Sequence, residues 1–189
     1  MSRISADISD VQVRIGELAV TARTDERLVT VGLGSCVGVA LIDERAGVYA
    51  LAHVFLPEEP EAGPKAGAGP ATYATSVVPE LVRQVRALGG GMSSGRLVAV
   101  IAGGARMFAT ARSTTADIGE RNVAAVTRGL QDAGIRIVAR QTGGTHGRTI
   151  RVEPGRAPRV TVREVGKPEA DVWQGASRVM PPVDHAAAA

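Results

Sequence analysis

Apolar and polar positions alternate through residues 11–20 (VQVRIGELAV), a period near two that predicts one or two strands with Gly16 as a bulge or turn. The next apolar run, 28–33, reads as a strand with Val29, Val31 and Leu33 on one face and Thr30 on the other. Gly34 and Ser35 break it just before Cys36. Residues 37–42 and 48–56 are two further apolar strands, joined by a turn over Asp43–Gly47. Residues 57–70 hold four prolines and three glycines without periodicity and predict a loop, either a lid beside the preceding strand or a tolerated insertion.

The period then lengthens. Val77, Leu81, Val85 and Leu88 fall on one stripe of a helix predicted over 71–88, with Gly89 as its stop. A wholly apolar strand at 96–102 runs into Gly103 and Gly104. Asp117, with Glu120 three residues on, predicts an N-cap for a helix that turns Val123, Val126 and Leu130 inward and stops at Gly134. Strands follow at 135–140, 150–153 and 160–165, the first two separated by the glycine-rich segment 141–148. After Gly166 the pattern fails. The expected organisation is one domain over 1–166 and a disordered tail over 167–189.

Composition narrows this picture. In 189 residues, 44% are apolar but only 3% aromatic, so the core must be built of Val, Leu, Ile and Ala packed between sheet and helix, a layered α/β (α+β) architecture. The net charge of +3 is spread over scattered arginines without interleaved aromatics, which argues against a nucleic-acid surface. No apolar run approaches the roughly 20 residues needed to span a bilayer, and no signal-peptide pattern opens the chain. A cytoplasmic protein that does not insert into the membrane is expected.

Cys36 is the only cysteine, so it is either a small buried hydrophobe or a reactive thiol. The hairpin bears on the choice. A five-residue loop at 43–47 pairs Ile42 with Val48 and sets Val37 opposite His53; a shift of one sets Cys36 opposite His53. Either register brings thiol and imidazole close, because paired Cβ atoms lie about 4.5–5.5 Å apart. A structural cysteine beside a strand-end histidine satisfies the same spacing. Thr30 is on its own an ordinary strand former, and the glycines at 32 and 34 are either a tight turn or a backbone that aims amides at an oxyanion. The same glycines lack the third glycine, the following helix and the acidic residue of a dinucleotide loop. His146 in a glycine-rich turn and His185 in an alanine-rich tail are weaker base candidates, and three scattered histidines with one cysteine do not form a zinc site.

Several motifs in order carry a resemblance. TVGLGSCVGVAL (30–41) followed by LAHVFLP (51–57) resembles the signature of the CheD family, the chemoreceptor glutamine deamidases of bacterial chemotaxis. PATYA (70–74), IAGGARMF (101–108), IGERN (118–122) and GGTHGR (143–148) agree with it, so the likeness runs from about Val11 to Val165. The resemblance implies a catalytic set of Cys36, His53 and Thr30 and no metal or organic cofactor. It implies a mixed β-sandwich with flanking helices, similar to the catalytic domain of Rho-deamidating toxins. It also implies methyl-accepting chemotaxis receptors as substrates and a CheC-type phosphatase as a partner, which leaves a mainly non-catalytic adaptor as the alternative to an enzyme. Thr72 and Gln141 depart from the family's usual residues and bear on docking rather than chemistry.

Overall fold

A computed structural model of the chain describes residues 8–89, 97–107, 115–155 and 157–176, the side chains of 115–117 excepted. In chain order the elements are β1 (Ser9–Gln12), β2 (Leu18–Thr21), β3 (Glu26–Leu33), β4 (Val37–Asp43), β5 (Val48–Val54), α1 (Ala74–Leu88), β6 (Val98–Gly103), α2 (Thr115–Asp132), β7 (Arg136–Thr142), β8 (Arg148–Glu153), β9 (Arg159–Glu164) and β10 (Ala170–Gln174). The strands form two five-stranded sheets, β1-β3-β8-β9-β10 and β2-β5-β4-β6-β7. Each sheet is mixed: β1 runs parallel to β3 and β6 parallel to β7, while the remaining pairs are antiparallel.

The two strands of the central hairpin are buried at every position, which explains why they are apolar but for Asp43 and His53. Val37, Val39 and Leu41 of β4 and Ala50, Ala52 and Val54 of β5 pack with Val77, Leu81 and Val85 of α1 and Val126 and Leu130 of α2. The intervening Ala40, Ile42, Tyr49 and Leu51 face the first sheet and meet Leu28, Leu33, Ile150, Val152 and Val160. The result is three layers: sheet, sheet and a helix pair, with one core on each side of the hairpin. The helix-side core is filled by Val, Leu, Ile and Ala alone, and the inter-sheet core adds only Cys36, Tyr49 and Trp173 to these, as the scarcity of aromatics requires. Among the described residues no helix is long and apolar enough to cross a membrane.

Beyond shifts of one or two residues at strand ends, four boundaries differ from the sequence pattern. The hairpin pairs Asp43 with Val48, which shortens the loop to Glu44–Gly47 and sets His53 opposite Gly38. Asp43 stays in the ladder because its carboxylate accepts the Ala46 N–H at 2.9 Å and its carbonyl the Gly47 N–H at 2.8 Å. Helix α1 starts at Ala74 instead of residue 71, since Ala71, Thr72 and Tyr73 are spent on the loop before it: Ala71 N–H donates to the Gly16 carbonyl, Thr72 O accepts from Leu56, and Tyr73 bridges to Leu56. Helix α2 starts at Thr115, so Asp117 falls within its first turn instead of at the cap; the Asp117 side chain lies outside the described residues. The sheet also continues past Gly166. β10 pairs with β9, and Trp173 packs against the inter-sheet core. A run as short as ADVWQ on a sheet edge carries too little alternation to be read as a strand. The expected tail beyond Ala176 lies outside the described residues.

Candidate active site

The first sheet delivers Thr30. Strand β3 pairs residue for residue with β8 up to Thr30↔Ile150, then skips to Leu33↔Arg148. This bulge at Val31 and Gly32, with Gly32 at φ +72, changes which face the chain presents. Thr30 and Leu33 are both fully buried, and Val31 is exposed, so the expected grouping of Val31 with Leu33 does not hold. Gly34 then turns the chain, its N–H donating to the Gly32 carbonyl at 2.9 Å, and Cys36 stands directly before β4.

The second sheet delivers His53. It faces Gly38 across the ladder and therefore points into the space between the sheets. Gly38 leaves room there: a Cβ at this position would lie 2.8 Å from Leu33 Cδ1, 2.9 Å from Ile150 Cγ2 and 3.4 Å from Thr30 Cγ2. Through that gap Thr30 Oγ1 and His53 Nδ1 approach to 2.6 Å. Thr30 Oγ1 also lies 2.7 Å from the Val13 carbonyl, which can only accept. The hydroxyl has one proton and gives it to Val13, so at Nδ1 the Thr30 oxygen accepts and the imidazole donates. Neutral His53 thus carries its proton on Nδ1 and its lone pair on Nε2, which is buried and without a hydrogen-bond partner. The backbone of His53 is fixed as well, its N–H donating to Glu17 O and its carbonyl accepting from Gly16, both at 2.9 Å.

Cys36 is 7% exposed and lines the inter-sheet core. In the observed register it stands two positions from the residue opposite His53, a diagonal that spans roughly 7–8 Å between backbones and lies within reach of long side chains. The expected direct pairing across the hairpin is corrected accordingly. Burial pushes the Cys36 thiol above its ordinary value, its own backbone N–H opposing. Burial also holds the His53 imidazole below its ordinary value, against the Val13 carbonyl and the Glu17 carboxylate. Both causes favour a neutral thiol and a neutral imidazole at rest.

The glycine pairs singled out in the sequence converge on the cysteine. Gly104 N–H donates to the Cys36 carbonyl at 2.8 Å and Ala105 N–H to the Gly34 carbonyl at 2.7 Å. Gly103, at φ +108, leaves no room for a Cβ beside the Cys36 carbonyl. Gly143 N–H donates to Gly103 O at 3.0 Å, and Arg106 N–H to Gly144 O at 2.8 Å. The Met107 side chain covers Gly34, and Phe108 of the same motif lies outside the described residues. The Gly34 amide is already engaged with Gly32 and is therefore no oxyanion donor in this conformation. His146 is a largely exposed residue whose Nδ1 stands 3.9 Å from Glu164, and His185 lies outside the described residues. Sequence reasoning missed Gly38 and the Val13 carbonyl, since neither a gap nor a main-chain acceptor has a residue-type signal.

The family described as "CheD chemotactic sensory transduction" matches residues 55–164. A probable chemoreceptor glutamine deamidase CheD of Symbiobacterium thermophilum is 43% identical over 163 residues, 85% of this chain and 95% of that protein. A probable chemoreceptor glutamine deamidase CheD of Moorella thermoacetica is 40% identical across 84% of this chain and 93% of its own. The one from Pyrococcus abyssi is 42% identical across 75% and 83%. Among solved structures, the Bacillus licheniformis hypothetical protein YfiH aligns over 76% of this chain and 61% of its own, with 13% identity and a TM-score of 0.35.

Proposed function

Because the chain belongs to the CheD family, we propose that it hydrolyses selected glutamine side chains of methyl-accepting chemotaxis receptors to glutamate and ammonia, with Cys36, His53 and Thr30 as its working residues. The observation that carries this reading is the Val13–Thr30–His53 relay, which leaves an unpartnered lone pair on Nε2 beside the segment that bears the chain's one thiol. A buried, unpaired base of that kind costs stability, and a role in catalysis accounts for its presence.

In the proposed reaction, His53 Nε2 takes the Cys36 proton as sulfur bonds to the carboxamide carbon, and the carbonyl π electrons move onto oxygen. The tetrahedral intermediate collapses, the C–N bond breaks, and the imidazolium returns the proton to the departing nitrogen, which leaves as ammonia. A thioester remains. Water, deprotonated by Nε2, adds to it, and the C–S bond breaks with the proton passing to sulfur, giving a receptor glutamate and the free thiol. Thr30 stabilises the imidazolium by accepting from Nδ1 throughout. Since burial favours the neutral form of both thiol and imidazole at rest, the proton has to pass to Nε2 in the course of the reaction.

Incubation with a receptor cytoplasmic fragment, followed by mass spectrometry, should detect amide-to-acid conversion, and Cys36→Ala should abolish it without loss of fold. Conversion by Cys36→Ala at the wild-type rate would refute the mechanism. The acidic limb of kcat/KM is expected below the ordinary histidine value of 6.5: with a lowered folded-state pKa the base stays unprotonated through neutral pH and is lost only as pH falls through that lowered value.

A further inference from the structure

Helix α2 does more than cover the second sheet. Gly119 and Asn122, three residues apart and so on one helix face, are both buried. Gly119 lies against the end of β6: a Cβ there would stand 2.8 Å from the Gly104 carbonyl oxygen and 3.0 Å from that of Ala105. Those two residues are the ones whose amides hold the carbonyls of Cys36 and Gly34. Asn122 reaches the same place with its side chain. Its Nδ2 donates to the Ser35 carbonyl and to the Phe55 carbonyl, each at 3.0 Å. Ser35 immediately precedes Cys36, and Phe55 follows His53 by two residues, so one carboxamide bridges the segment of the thiol and the segment of the imidazole. The two acceptors cannot stand further apart than those two bonds allow.

Asn122 Oδ1 is buried and has no hydrogen-bond partner. Turning the carboxamide over would not relieve it, because the oxygen would then face two carbonyl oxygens and both would lose their donor. An apolar residue of similar volume would avoid the unpaired acceptor altogether. What asparagine supplies here is its two donors. We infer that Asn122 is a positioning residue, whose bridge between the Ser35 and Phe55 carbonyls holds the Cys36 thiol against the His53 base. This rests on the assignment of Cys36 and His53 made above and adds a residue on a third element to it.

The test uses the full chain with Asn122→Ala and Asn122→Leu, the second keeping roughly the volume while removing the donors. With a receptor fragment, at temperatures well below each variant's melting, kcat should fall about 10²-fold while KM stays within about twofold. Alkylation of Cys36 by iodoacetamide, followed against pH, should become faster at neutral pH than in the wild type, as the loosened thiol reverts toward an ordinary cysteine. A packing role alone would lower the melting temperature and leave both kcat and the alkylation profile of the folded variants at wild-type values; that result overturns the proposal. Alkylation needs no receptor, so wild-type protein inert toward every fragment defeats the deamidase reading, while an unchanged alkylation profile defeats this one. Should neither variant fold, the wild type carries the test by nuclear magnetic resonance. The Asn122 Nδ2 protons should exchange slowly and shift when Cys36 is alkylated, and rapid exchange or an unmoved resonance overturns the inference.

Discussion

At the residue scale the site turns on a single proton. His53 can serve as a base through Nε2 only while Nδ1 keeps its hydrogen, and that is settled by an oxygen whose own hydrogen is committed to Val13. Thr30→Val preserves the methyl group near Gly38 and removes the hydroxyl, which is both the acceptor for Nδ1 and the donor to Val13 O. The imidazole then exchanges tautomers and loses the partner of its charged form, so kcat should fall by about 10²- to 10⁴-fold, the range general-base assistance contributes. Thr30→Ser should restore most of it. The same Val substitution takes from Val13 O and Nδ1 the hydroxyl they share in a buried site, at a cost of about 1–3 kcal/mol measurable by urea unfolding. Wild-type turnover in Thr30→Val would remove Thr30 from the catalytic set. From the sequence, Thr30 was a candidate only through family likeness, and the physical reason is plain: its contact crosses from one sheet to the other, over 23 residues, and depends on a bulge at Val31–Gly32 that no alternation pattern announces.

At the scale of elements, the hairpin shows how far pattern reading reaches. The runs 37–42 and 48–56 are legible as adjacent strands because they are apolar, β-branched and separated by a turn sequence. Register is not legible, since it depends on whether Asp43 joins the ladder or the loop, and strands buried on both faces lack the alternation of polar and apolar positions that would penalise a slip. One step of register moved the partner of His53 from Val37 to Gly38, and that step admits Thr30. Gly38→Ala tests this packing. Its φ is not positive, so the backbone accepts alanine, and relief of the glycine entropy would favour the change by up to about 1 kcal/mol. Against that stand contacts at 2.8 and 2.9 Å with Leu33 and Ile150, both with no exposed surface and little freedom to yield. Overpacking should win, with a net loss of about 1–3 kcal/mol by chemical denaturation. Because the third contact is Thr30, kcat should fall as well. A stabilised and fully active Gly38→Ala would mean the gap has no role in admitting the threonine.

At the scale of the molecule, the two cores serve different ends. The helix-side core is continuous from α1 and α2 to the central strands and could be inferred from helical stripes and apolar runs. The inter-sheet core holds the site, and its closure at the far edge depends on β10, which the pattern placed beyond the domain. Four β9 residues pair with β10, Trp173 packs inward, and Glu169 accepts from Arg151 and Thr161, both at 2.6 Å. A chain ending at Ala176 keeps all of this, and one ending at Gly166 loses it. The shorter chain exposes the β9 edge and should be less stable by about 2–4 kcal/mol, roughly the burial of one large side chain together with the net worth of a few edge hydrogen bonds. It should also self-associate with increasing concentration, as an uncovered edge strand invites pairing. The comparison is made by urea unfolding followed by circular dichroism and by sedimentation. Since β8 and β9 separate β10 from β3 in the sheet order, the folded fraction of the shorter chain should keep the wild-type kcat. Equal stability of the two chains would put the end of the domain at Gly166, and a lost kcat in folded material would show that the edge of the first sheet, not its centre alone, sets the position of Thr30.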